Sequence, residues 1–302
     1  MHPRTRHLLF RLFSFAVLFL ILFTVLITSP AQALIPPDSA RAEQLRPEQD
    51  EPWRFTFTTN GNLWLWWATE KDTAVTWDYG ATVDMEIARG RGHRLWYGGS
   101  YRMAAGFNEG QSITPFDPNQ VDTWLHFSYR WAWAERRLVF LNMRRTCYHL
   151  IDQKYRDAVF WTHAAFGFGT TSPVEHGEAA AIVRYLNKPM WNAYLSTGPF
   201  LHGGISRVLG HNPTWQWESS GYLSYTYPVT RTFLLDAQLA GDWLYLLPNE
   251  GGQHRYRARM RLYFIAQRDR GNASFFVDRV LHDSYPERFH PVGWRVGLEH
   301  RF

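Results

Sequence analysis

The sequence predicts an all-β chain: a transmembrane antiparallel β-barrel of about twelve strands, with one short helix near 173-186. Three observations carry that reading. From Trp53 onward the chain falls into segments of roughly nine to eleven residues in which apolar and polar side chains alternate, the length and pattern of a tilted membrane strand. Aromatic residues make up 17% of the 302 residues, with 15 Trp and 15 Tyr, while charged residues still reach 20%. Such a chain hides its hydrophobicity by alternation and has the Trp and Tyr that two interfacial girdles require. Beyond the N-terminal region there is no run of about 20 apolar residues, so helical spans are excluded.

The N-terminus carries Arg4, Arg6 and Arg11, then an apolar run from Leu12 to Ile27, then Ala31-Gln32-Ala33. Charged, apolar and small-residue regions in that order predict a signal peptide over 1-33, cut before Leu34. An uncleaved anchor is the alternative, since the run approaches a short span in length. The formal charge of +5 loses three positives with that segment and falls to +2, which excludes a nucleic-acid footprint. Cys147 is the single cysteine, so no internal disulfide forms. Residues 34-52 are polar, contain Pro36, Pro37 and Pro47, and read as a disordered tail; 53-302 is the barrel.

The strands follow in order. Trp53 to Trp67 is the first. Val75 to Ala88 sets Trp77, Tyr79, Ala81, Val83 and Met85 on one face, and Arg94 to Ala104 follows. A polar loop containing Asn108, Glu109, Gly110, Pro115, Asp117 and Pro118 separates these from Asp122 to Ala132. Leu138 to His149 returns across a tight turn at Trp133 to Arg137, and Ala158 to Phe166 is the sixth.

After Gly169, Ser172-Pro173-Val174-Glu175 has capping-box spacing with Pro at the first helical position. Read as a helix, the stretch from Pro173 to Leu186 leaves twelve strands; read as a strand, it makes thirteen. Single-chain bacterial barrels keep an even number, so parity favours the helix. Met190 to Leu201, Trp215 to Tyr227, Thr232 to Leu247, His254 to Ala266 and Asn272 to His282 are the next five strands. Short turns at Tyr227 to Arg231 and Asp269 to Asn272 contrast with longer connections at Gly203 to Thr214, Pro248 to Gln253 and Asp283 to Pro291.

The closing segment, Val292 to Phe302, places Val292, Trp294, Val296, Leu298, His300 and Phe302 on one face and Gly293, Arg295, Gly297, Glu299 and Arg301 on the other. It resembles the final strand of bacterial outer-membrane β-barrels, which alternates in this way and closes on Phe. The resemblance implies that Trp294, Val296, Leu298 and Phe302 form the signal read by the barrel assembly machinery. It also implies an outer-membrane location, with outer-membrane lipid and lipopolysaccharide as surroundings.

Alternation assigns the polar side chains to the lumen. In the tenth strand Arg255, Arg257, Arg259 and Arg261 share one face, and four arginines at period two cannot all face lipid. Arg295 and Arg301 join them, as do Arg94, Arg102, Arg130 and Arg144. Asp78, Asp84, Glu86, Glu218, Asp236, Asp242, Asp278 and Glu299 fall on the same inner face. Two readings stand open: a plugged lumen in which these charges pair and hold a structural or adhesive barrel rigid, or a pathway in which the arginines attract small anionic solutes. The second resembles the twelve-stranded porins for acidic oligosaccharides, which also line their lumen with arginines.

Two His-x-Ser pairs, His126-Phe127-Ser128 and His282-Asp283-Ser284, place a base beside a hydroxyl. The second resembles the pair in outer-membrane phospholipase A and the lipid A deacylases, which implies a lipid-modifying hydrolase with His282 and Ser284 as catalytic residues. In those lipases the pair faces the bilayer. Strict alternation turns both pairs inward here, and only a bulge near the rim re-aims His282 outward. No Asn follows Ser284 to orient the histidine. His149 and Asp152 offer either a cation site or a contact to lipopolysaccharide phosphate alongside Arg145, or else a plain polar strand end at the headgroup level. No spacing resembles a zinc site and no glycine-rich loop precedes a helix, so no cofactor is expected.

Overall fold

The computed structural model describes residues 51–68, 77–106, 117–134, 137–150, 158–173, 188–202, 215–246, 254–268, 271–284 and 293–301. All lie in the compact unit Asp38–Phe302. The expected signal peptide, nearly all of the expected tail, the helix beyond Pro173, most of the longer connections and Phe302 lie outside the described residues.

Twelve strands follow one another: β1 (Arg54–Ala68), β2 (Trp77–Gly90), β3 (His93–Gly106), β4 (Asp117–Ala134), β5 (Arg137–Leu150), β6 (Ala158–Gly169), β7 (Met190–His202), β8 (Trp215–Pro228), β9 (Phe233–Leu246), β10 (His254–Arg268), β11 (Gly271–Asp283) and β12 (Gly293–Arg301). Each pairs antiparallel with the next, and β12 pairs with β1, so the sheet closes into a barrel. Closure pairs the first strand with the last, so the sheet has no free edge along the seam, as a membrane-crossing sheet requires. The closing seam is short. It runs from Asn62 opposite Arg301 to Ala68 opposite Arg295, and the lower half of β1 pairs with β2 alone.

The strand ends differ from the sequence expectation by a few residues, with one larger correction. Asp117 and Pro118 belong to β4 and not to the preceding loop. The ladder accommodates the proline by a register shift, with Ala105 opposite Pro118 and Ala104 opposite Gln120. Glu51, placed by sequence in the tail, is buried; its carbonyl accepts the Arg91 amide at 2.8 Å beneath the β2–β3 turn. That turn has Arg91 at φ 52° and Gly92 at φ 81°, the two left-handed residues of a type I′ hairpin.

Short connections gather at one end of the barrel, where 91–92, 135–136, 229–232 and 269–270 join neighbouring strands; the long connections, apart from 170–189, gather at the other. Aromatic side chains ring both ends of the outer surface. At the short-turn end His93 stacks on Trp53, Tyr129 and Trp131. At the opposite end Trp243 and Tyr245 pack on His254. Between these belts Leu63, Val83, Leu125, Phe127, Leu239 and Met260 are exposed on the outer face, as a lipid-facing band requires. Part of the interior is packed with apolar side chains. Trp66, Met190, Leu234, Tyr263, Ile265 and Phe276 form one buried cluster, and Ala132, Leu138 and Phe140 form another against Tyr194.

Candidate functional site

Period-two alternation along β10 brings Arg257, Arg259 and Arg261 to the lumen wall, while Tyr256, Met260 and Leu262 stand exposed outside. Arg255 lies one step nearer the long-connection end and is half-buried. The three lumen arginines meet different neighbours. Arg257 donates to Asp242 of β9 from Nε at 2.8 Å, and Ser220 holds the same carboxylate at 2.8 Å. Arg261 donates from Nε to Asp278 at 2.7 Å and from Nη1 to the Tyr263 hydroxyl at 2.6 Å, with its guanidinium over the Phe276 ring.

β12 completes the network. Arg295 Nη2 reaches both oxygens of Asp278, at 2.8 and 2.9 Å, and its guanidinium lies over Trp66. Arg301 Nε donates to Glu299 at 2.7 Å; that carboxylate also accepts from Asn62 and from the Tyr263 hydroxyl. Asp278 is fully enclosed, so its charge is tolerable only because two guanidiniums surround it.

Other inward charges also find partners, on the same strand, on a neighbour or across the lumen. Arg102 pairs with Asp78 and lies 3.4 Å from Asp122. Arg94 and Arg89 share Glu86, and Arg144 lies 3.6 Å from Glu218. His126 Nε2 stands 2.8 Å from Asp84, and buried Ser128 faces the same interior. Asp236 accepts from Thr226 at 2.9 Å and from Gln238, while buried Arg130 stacks on Trp96. Much of the charge foreseen for the lumen is therefore neutralised locally.

Arg259 is the exception. It is exposed to the lumen and makes no hydrogen bond or ion pair with any described residue. Its neighbour across the β9 ladder is Ala240, whose small side chain leaves room before it, with Tyr222 a strand further on. The space is a cavity of about 480 Å³, within the size of small-ligand pockets. Seven arginines and five carboxylates line it. Counting Asp278 behind Arg261 and Arg295, the balance is one positive charge. Trp64, Trp124, Trp161, Tyr194 and Tyr222 also line it, with Tyr194 and Tyr222 stacked at 5.3 Å. The cavity thus offers one open cation amid aromatic faces. Among the described residues no group of His, Cys, Asp and Glu is arranged to hold a metal.

The outer face places the other expected residues. Trp294 is exposed and Val296 and Leu298 half-buried, on the side opposite Arg295 and Glu299. His126 and Ser128 point inward, as alternation requires. His282 does not. Leu281 is an extra residue in β11, so Val280 faces Arg259 but His282 faces Ala258, on the outer side. Asp283 returns inward opposite Arg257. The Ser284 hydroxyl accepts the Tyr256 amide at 2.8 Å and donates to the Tyr256 carbonyl at 3.1 Å, ending the ladder. Strict alternation turns His282 inward; the bulge near the rim that re-aims it outward, open as an alternative from sequence, is present.

No family model matches the sequence, and no curated protein does. Solved structures match the fold. An outer-membrane channel from Pseudomonas putida F1 superposes with a TM-score of 0.51 at 9% identity, covering 85% of this chain and 98% of that one. The fold is that of an outer-membrane β-barrel. LpxR from Salmonella typhimurium matches with a TM-score of 0.45 at 6% identity, over 80% of this chain and 99% of its own. Outer membrane phospholipase A from Escherichia coli matches at 0.43 and 9% identity, over 81% and 92%.

Proposed function

We propose that this outer-membrane barrel is a narrow channel or binding barrel for small anionic solutes, with Arg259 as the docking point in the lumen. One observation carries the reading: among inward arginines held by carboxylates, Arg259 stands open to a cavity large enough for a small ligand. A guanidinium is always charged and offers a planar fork that matches carboxylate and phosphate. Arg257 and Arg261, fixed by Asp242 and Asp278, flank it with further positive potential while keeping their own geometry. The likeness in fold to an outer-membrane channel supports the same reading.

The hydrolase reading has one observation in its favour, the bulge that turns His282 toward the outer face. Against it, the Ser284 hydroxyl is engaged by the Tyr256 backbone on both its donor and acceptor sides, and Asp283 faces the other way. The lumen reading is therefore the stronger.

Planar-bilayer recording of the purified barrel tests it. The wild type should conduct with anion preference and be blocked by small carboxylates. Arg259→Gln should weaken that block roughly ten- to a hundredfold, the worth of a charge-assisted hydrogen bond. Absence of current together with no carboxylate binding, or a selectivity that Arg259→Gln leaves unchanged, would overturn the proposal.

A further inference from the structure

One arginine stands on the outer wall. In β11, Ser274, Phe276, Asp278 and Val280 are buried on the inner face, so Arg279 points outward, where it is exposed. Its guanidinium lies 5.1 Å from the centre of the Trp294 ring. Register places Met260 on one side and Trp294 on the other. Immediately above, the extra residue Leu281 turns His282 outward beside Ala258, and Tyr256 is 51% exposed one step further. A cation, an imidazole and a phenol thus share one patch of the outer face.

What lies beneath the patch is apolar. Leu262, Val277 and Val296 form the next outward row across β10, β11 and β12, and Phe264, Phe275 and Leu298 form the row after that. Arg279 is eight residues from Gly271, which at about 3.3 Å rise and roughly 40° tilt puts it about 20 Å above the short-turn end. Periplasmic turns in such barrels are the short ones. Arg279 therefore sits high in an apolar band about 25 Å tall, at the outer leaflet. A cation there needs an anion, and the ligand that brings an anion above two apolar rows is an amphiphile.

We propose that this face of β10–β12 binds a phosphorylated lipid of the outer leaflet. Its phosphate lies on Arg279, with His282 as a second hydrogen-bond donor, and its acyl chains lie along the two apolar rows. Trp294, opposite it on β12, holds the guanidinium through its ring face, which leaves the planar N–H edge free for the headgroup. The site is separate from the lumen and does not depend on conduction.

Native mass spectrometry of the detergent-purified barrel tests this, using lipid A with both phosphates, the same lipid without phosphate, and inorganic phosphate. The wild type should retain the phosphorylated lipid roughly tenfold better than the dephosphorylated one. Arg279→Gln should erase that preference, Arg279→Lys should keep most of it, and His282→Ala should weaken it severalfold. Heat-modifiable migration on a denaturing gel confirms that each variant is folded. If Arg279→Gln fails to fold, Arg279→Lys and His282→Ala decide. Equal retention of the two lipids by the wild type, or unchanged retention in folded Arg279→Gln and in His282→Ala, would overturn the proposal. Displacement of the lipid by inorganic phosphate alone would overturn the lipid assignment.

Discussion

Asp278→Asn should unfold the barrel at a much lower urea concentration than wild type. The side chain is fully buried and accepts from Arg261 Nε at 2.7 Å and from Arg295 at 2.8 to 3.0 Å. Asparagine keeps the shape and removes the charge, leaving two guanidiniums facing one another across a neutral amide. Breaking a buried ion pair by deleting one partner costs about 3 to 5 kcal/mol, and two stranded cations put this case at the upper end. Equilibrium unfolding in phospholipid vesicles, followed by tryptophan fluorescence, measures it. The companion variant is Asp278→Leu with Arg261→Met and Arg295→Met, which replaces all three charges by apolar groups and should lie within about 2 kcal/mol of wild type. The reasoning fails if Asp278→Asn loses less than about 1 kcal/mol, or if the triple variant is as unstable as the single one.

Two further outcomes are expected. Phe302→Ala should lower the amount of barrel inserted in cells while leaving the conductance of the inserted fraction unchanged, as quantified by membrane fractionation and single-channel recording. Ser284→Ala should leave hydrolysis of phospholipid and lipid A at the wild-type level, because the hydroxyl serves the Tyr256 backbone; loss of a measurable lipase activity in that variant would revive the hydrolase reading.

The barrel was legible because its information is local. A strand needs only an apolar residue at every second position, and that count places Trp294 and Leu298 outside and Arg295 and Glu299 inside from sequence alone. Asp117 and Pro118 were misplaced because composition argues for a loop there, while the ladder of β3 holds them in a strand through a register shift. His282 stayed undecided for the related reason that one added residue reverses every later assignment, and strict alternation cannot say whether a bulge is present. The candidate site was legible only in part. The inward arginines of β10 follow from spacing, but which of them is open depends on partners distant in sequence. Arg261 is held by a residue of β11 and Arg257 by one of β9, and Arg259 is open because Ala240 stands where a carboxylate would otherwise sit. No single strand carries that information.

The seam between β1 and β12 joins seven residue pairs, and the lumen side chains reinforce it. Asn62 of β1 donates to Glu299 of β12, Arg295 of β12 covers Trp66 of β1, and Gly297 leaves room for the Phe276 ring against Trp66, where a Cβ would overlap both. A half-shut ring would leave Glu299 and Arg295 without their β1 partners in a drying interior. Closure is thereby made cooperative: the last strand docks with its whole inner face engaged or it does not dock. The same side chains that shape the lumen also act as the clasp, so a change that widens it at Arg295 or Glu299 is expected to loosen the ring itself.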